Sequence, residues 1–254
     1  MRFPIIPLGS VIITTLVSSA SAAVMGYWRF EDGAFLEDSS GNGLSVIPTA
    51  SAPSPTQAMI PVSGVGSGFA GTVPFSGATN GSYANFATGN FTRSDHAALL
   101  VTTQLTAEFY FNASVISGDT EMTVSQFRAA TGERSWFVGL QSNQIRFGSS
   151  ADGTNSATQN STFALANQVQ TGVDYYGAVV YDAGTVTFYL KDLTNNGAMV
   201  TSVVTGFTSS LNNSSSSLNI GSYSNSNPDY RVVGVVGEVR LSNTALGQTG
   251  LLIS

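Results

Sequence analysis

Hydrophobic and polar positions alternate along most of this chain in short runs, and clusters of turn residues separate them. Leu105, Ala107, Phe109 and Phe111 alternate with Thr106, Glu108, Tyr110 and Asn112, the period-two pattern of a half-buried strand. Trp136, Val138 and Leu140 share one face of another strand. A Ser142-Asn143 turn then reverses the chain, and Ile145 and Phe147 carry it back. The clearest hairpin lies between Tyr175 and Lys191: YYGAVVY, a turn at Asp182-Ala183-Gly184, then TVTFYLK with Val186, Phe188 and Leu190 on one face. Shorter runs at Leu44 to Ile47, Val73 and Phe75, Tyr83 to Phe86, Met122 to Gln126, Met199 to Val204 and Leu218 to Ile220 read as further strands. The run RVVGVVGEVRL, residues 231 to 241, is almost continuously apolar and predicts a strand central to a sheet. Residues 48 to 68 and 149 to 161 read as loops, and the serine run 214 to 217 as a solvated one. No stretch sustains a 3.6-residue period. The pattern predicts an all-β fold with about a dozen strands, enough for two packed sheets.

The stretch Gly26 to Gly43, GYWRFEDGAFLEDSSGNG, is the first structured piece. It opens as a strand, with Trp28 and Phe30 assigned to the core, as is Trp136. It continues into an acidic, glycine-rich loop holding Glu31, Asp32, Glu37, Asp38 and Asn42. Just upstream, Arg2, an apolar run from Phe3 to Val17 and the small-x-small site Ala20-Ser21-Ala22 read as a signal peptide over residues 1–22. Cleavage after Ala22 leaves residues 23–254 as one domain, a length that β-sandwiches reach. The mature chain carries no further segment apolar enough to span a membrane. A secreted or cell-surface location follows.

Composition narrows the partners. Hydrophobic residues are 42% of the chain, enough for a sizeable core, while charged residues are only 9%, against about 25% in an ordinary globular protein. The net charge is −6 and Lys191 is the single lysine, so nucleic acid is excluded as a partner. The chain has no cysteine, so no disulfide staples it.

Three chemistries are candidates. Glu31, Asp38, Asn42 and the carbonyl of Gly41 offer hard oxygens for a structural calcium ion. The same Asp-Ser-Ser-Gly-Asn-Gly run is equally good turn chemistry, with Asp and Asn bonding their own backbone. For a sugar, Tyr223, Asn225, Asn227, Asp229 and Tyr230 share one loop and combine rings that stack on sugar faces with groups that bond hydroxyls. Tyr175, Tyr176, Asp152 and Asn155 are candidates for the same end. For catalysis, no strand carries closely spaced carboxylates, and the single histidine, His96, has no nucleophile elbow to serve. No catalytic residue is assigned.

Three places in order resemble the laminin-G-like, concanavalin A-like jelly-roll family of bacterial secreted proteins. They are Trp28-Arg29-Phe30 with Asp38 to Gly43, the hairpin YYGAVVYDAGTVTFYLKD, and Ile220-Gly221 followed by Gly234 to Leu241 and Asn243 to Leu246. Gly237 stands where the family usually carries an acid, and the usual Asp-Gly after the Tyr strand is replaced. The resemblance implies a two-sheet antiparallel jelly-roll sandwich. It also implies that the closing strand lies beside the opening one, which would add Glu238 to the calcium set. The expected function is a secreted, non-catalytic module binding carbohydrate or another extracellular ligand on its loop edge, with a glycan or an extracellular protein as partner. The alternative is a structural or adhesive surface module that binds no sugar.

Overall fold

The alternating runs become strands in the computed structural model, which describes residues 24–30, 34–48, 56–59, 82–85, 91–93, 99–156, 158–163, 168–222 and 230–253. Along the first half the strands are β1 (Val24–Trp28), β2 (Ile47–Pro48), β3 (Thr56–Met59), β4 (Ser82–Asn85), β5 (Phe91–Arg93), β6 (Gln104–Val115), β7 (Glu121–Phe127) and β8 (Arg134–Gln141). The second half adds β9 (Gln144–Ser150), β10 (Thr158–Thr162), β11 (Tyr175–Asp182), β12 (Thr185–Asp192), β13 (Val200–Thr205), β14 (Leu218–Ile220) and β15 (Val233–Ser242). No α-helix occurs among the described residues, and none of their helices is long and apolar enough to cross a membrane.

Two antiparallel sheets form. One has the order β13-β12-β11-β6-β15-β4-β3 with β1 also on β15; the other runs β10-β9-β8-β7-β14-β5-β2. The core lies between them. Phe109, Phe111, Val179, Tyr181, Phe188, Val236 and Val239 from the first sheet meet Val124, Trp136, Val138, Leu140, Ile145 and Phe147 from the second. Trp28, Phe30 and Trp136 are fully buried there, as expected. The last strand is central as predicted, bonded to β6 on one side and to β4 and β1 on the other.

The hairpin at 175–192 closes with the pair Asp182↔Thr185. Its two-residue turn puts Ala183 at φ 40° and Gly184 at φ 103°. Positive φ at both positions matches the strand twist, but it costs an L-alanine about 1 kcal/mol. Ala183→Asn, a residue that tolerates this region, is therefore expected to raise the unfolding free energy by up to about 1 kcal/mol. Urea midpoints at constant m-value read the change; a lower midpoint would contradict it.

Five expectations need correction. First, β6 is not half-buried: Thr106, Glu108 and Tyr110 are as buried as their alternating neighbours. The chain beyond β15 turns back over this outer face, and Leu251, Leu252 and Ile253 pack with Tyr110, Tyr176 and Ala178 as a second apolar layer. Second, residues 158–161 of the expected 149–161 loop belong, with Thr162, to the edge strand β10, paired to β9 from Thr158↔Ser150 to Thr162↔Arg146. Backbone pairing suffices at an edge, so a polar strand shows no apolar period. Third, β3 lies inside the expected 48–68 loop. Fourth, Leu44 to Val46 is not a strand: Leu44 N–H donates to Asp38 and its carbonyl accepts the Trp28 indole N–H at 2.8 Å. Fifth, Ser214 and Ser216 are buried, and the Ser214 hydroxyl donates to the Glu133 carbonyl at 2.8 Å. The expected signal peptide, the Val73–Phe75 strand and His96 lie outside the described residues.

Candidate ligand site at one end of the sandwich

Antiparallel strands alternate in direction, so their connections collect at two ends. Segments 116–120, 142–143, 168–174, 193–199 and 230–232 gather at one end. Segments 128–133, 151–156, 183–184 and 206–217 gather at the other. At the first end, backbone bonds tie loop to loop. Ser142 N–H donates to Ser117 (3.0 Å), Val169 N–H to Asn143 (3.0 Å), Gly172 N–H to Ala113 (2.9 Å) and Met122 N–H to Tyr230 (2.7 Å).

A cavity of about 480 Å³ opens between the β6–β7 connection and the segment entering β15. Val115 and Tyr230 form its apolar rim and are 49% and 46% exposed. Tyr230 sits at φ 58°, a left-handed conformation that a bulky residue adopts only when its surroundings enforce it. Its carbonyl is the acceptor that Met122 N–H holds, and that bond fixes the backbone from which the ring projects. Asp119, Glu121 and Arg231 supply charge to the lining. Glu121 is only 5% exposed; its Oε1 accepts Ser117 N–H at 2.7 Å, while its Oε2 is buried with no hydrogen-bond partner. Burial pushes its carboxyl above the ordinary 4.5, against the opposing bonds from Ser117. Thr120 is engaged elsewhere, since its hydroxyl receives an N–H of Arg146.

Of the expected ligand residues, Tyr230 is described and falls on this cavity. Tyr223, Asn225, Asn227 and Asp229 lie outside the described residues. Tyr175 and Tyr176 reach the same end of the sandwich but are 2% and 0% exposed. Tyr175 stacks on Phe111 (5.5 Å between ring centres) and donates to the Gln168 carbonyl at 3.0 Å; a second cavity, of about 440 Å³, lies beside it. Tyr176 points to the outer layer and donates to Glu108 at 2.6 Å. Asp152 and Asn155 belong to the opposite end, where the Asp152 carboxylate accepts Thr154 N–H at 2.8 Å.

Among the described residues the calcium set does not come together as a cage. Both Asp38 oxygens are occupied by donors. Oδ1 accepts N–H from Tyr27 and Ser40 (2.9 Å each); Oδ2 accepts the Ser40 hydroxyl (2.7 Å) and Leu44 N–H (3.0 Å). The Asn42 amide donates to the carbonyls of Val24 (2.8 Å) and Met25 (3.0 Å), tying the loop back to β1. Glu238 receives the Tyr27 hydroxyl and lies 3.5 Å from Arg29 Nε. Glu31 lies outside the described residues, and no group of three acidic, His or Cys side chains among those described could hold a metal. A cation needs free oxygen lone pairs, so the described residues do not fit a calcium ion; they fit a turn. Burial raises the Asp38 pKa, but the bonds from Ser40, Tyr27 and Leu44 outweigh it and leave it below 3.8. Its contribution to stability is thus present above about pH 3.8 and lost as pH falls through the lower folded value. Asp38→Ala is expected to cost about 2 kcal/mol, with the same Tm loss in calcium as in chelator. A larger loss in calcium would restore the metal.

A family model described as the concanavalin A-like lectin/glucanases superfamily matches residues 79–250. The chain belongs to this superfamily. No curated protein matches it. Among solved structures, domain 4 of AbnA, a GH43 extracellular arabinanase from Geobacillus stearothermophilus, solved with arabinotriose, is 15% identical. That similarity covers 90% of this chain and 96% of that one, at TM-score 0.58. The binding domain of botulinum neurotoxin serotype G is 12% identical over 89% of this chain and 49% of that one, at TM-score 0.59. The ligand-binding domain of serotype D, solved with N-acetylneuraminic acid, is 10% identical over 90% of this chain and 49% of that one, at TM-score 0.54. The chain spans about half the length of these toxin domains. At such identities the likeness is one of fold.

Glu121, Arg231 and Val115 were missed in the sequence. The available signal was the turn cluster Ser117-Gly118-Asp119, which sets an acid at the first position of a strand.

Proposed function

We propose that the protein is a secreted, non-catalytic carbohydrate-binding module whose ligand occupies the cavity between residues 115–121 and 230–233. One observation carries this reading: an exposed tyrosine ring, held at positive φ, stands beside a buried carboxylate with one oxygen unpartnered. A sugar presents an apolar face to such a ring and hydroxyls to such a carboxylate. The arabinotriose and N-acetylneuraminic acid complexes of structurally similar domains support a sugar ligand and supply the first probes. The non-catalytic part rests on two buried acids of the first sheet. Glu108 and Glu238 are each paired with an arginine, Arg240 and Arg29, and are not offered to a substrate.

A glycan array that includes both probes tests the proposal. Wild type is expected to bind at least one glycan, and Tyr230→Ala to lose about tenfold or more of that affinity through the lost stacking. An unaffected Tyr230→Ala variant would move the site elsewhere. The adhesive alternative has its own observation. Strand β13, the last of its sheet among the described strands, is uncharged, pairs with β12 without a bulge and exposes Val203 at 60%, features that suit contacts between sheets of different chains. Self-association with no glycan bound would favour it.

A further inference from the structure

The charges lining the cavity are unequal: two carboxylates, Asp119 and Glu121, against one guanidinium, Arg231. We propose that the cavity takes an uncharged sugar and rejects a ligand carboxylate, with Glu121 as the selecting group. This rests on the sugar-binding reading above.

Glu121 is 5% exposed and stands at the first position of β7. Ser117 N–H satisfies its Oε1 at 2.7 Å, and nothing satisfies Oε2. A buried carboxylate oxygen without a donor is costly to leave, so a ligand that brings a donor gains what the free protein lacks. A sugar hydroxyl is such a donor. A ligand carboxylate brings no hydrogen and adds a third negative charge beside the exposed Asp119 and the buried Glu121, where like charges repel. Asp119 and Ser117 face Glu121 from the β6–β7 connection, and Tyr230 and Arg231 from the segment entering β15. The nearby Arg146 of β9 gives one N–H to the Thr120 hydroxyl and stacks over Phe137, 5.7 Å from the ring centre; it does not line the cavity.

The test uses the full chain and matched pairs of oligosaccharides of equal length: galactose with galacturonic acid oligomers, and glucose with glucuronic acid oligomers. Wild type is expected to bind the neutral member of a pair at least about tenfold tighter. Glu121→Gln keeps an acceptor for Ser117 N–H and removes the charge, so it should shrink that ratio to about threefold or less. Equal or tighter binding of the acidic member by wild type would overturn the proposal. So would a ratio that Glu121→Gln leaves unchanged, although the sugar-binding reading would then stand. If a folded chain binds no member of either pair and no glycan of the array, the sugar-binding reading fails and the proposal with it; if it binds an array glycan but no neutral member of a pair, the proposal alone is overturned.

Discussion

Replacing Glu108 with alanine is expected to lower the unfolding free energy by about 3–5 kcal/mol. Glu108 is fully buried on the outer face of the first sheet, although the sequence places it among polar positions of an alternating strand. Its Oε1 accepts the Tyr176 hydroxyl and the Leu252 N–H, both at 2.6 Å; its Oε2 accepts Arg240 Nε at 2.5 Å. Arg240 lies across the ladder from Glu108 and also donates to the Gly250 carbonyl at 2.9 Å. One carboxylate therefore joins three strands to the C-terminal segment. Removing it strands a mostly buried guanidinium and two donors at once, and that desolvation sets the magnitude. Two companion variants separate causes. Tyr176→Phe removes one bond and is expected to cost about 1 kcal/mol. The double change Glu108→Leu with Arg240→Met removes both charges and should cost far less than the single alanine. Hydrogen exchange adds a local readout: the Leu252 amide should lose protection in Glu108→Ala. An alanine variant with an unchanged urea midpoint would contradict the account of this network.

The second large effect belongs to Trp28, and Trp28→Ala is expected to cost about 3–5 kcal/mol. The ring is fully buried and its N–H bonds the Leu44 carbonyl at 2.8 Å. It also packs against Gly26, where an added Cβ would come within 2.4 Å of the ring. Trp28 thus locks β1 to the loop that Asp38 organises, and the same residue pairs across to Val239 of the central strand. Trp28→Phe keeps part of the volume but leaves the Leu44 carbonyl unpartnered, so it should fall between wild type and alanine. Denaturant curves at a common m-value read all three. A loss below about 1 kcal/mol for alanine would mean that the site collapses freely, against close packing here.

Much of the fold was legible because local pattern and tertiary role agree. The arms of the 175–192 hairpin alternate cleanly around a turn, and they pair in that register. The apolar run at 231–241 needed two covered faces and has them. What was not legible depends on residues far apart in sequence. Glu108 reads as solvent-facing until a segment more than a hundred residues later folds over it. TQNST reads as loop because an edge strand needs only backbone partners. Asp38 illustrates a different limit: an acidic turn looks the same in sequence whether its oxygens meet a cation or four N–H and O–H donors. The ligand end was half legible. An aromatic in a polar loop drew attention to Tyr230, but the unpartnered oxygen of Glu121 is a property of three-dimensional packing, and nothing in the local sequence reveals it.

The central claim is that a sugar binds at the Tyr230 end of the sandwich. It is tested most directly by mapping amide chemical shifts while titrating the folded chain with a neutral oligosaccharide. The account predicts that the shifts concentrate at Val115, Ser117 to Glu121 and Tyr230 to Val233. Shifts confined to residues 128–133, 151–156 and 206–217, at the opposite end, would contradict it.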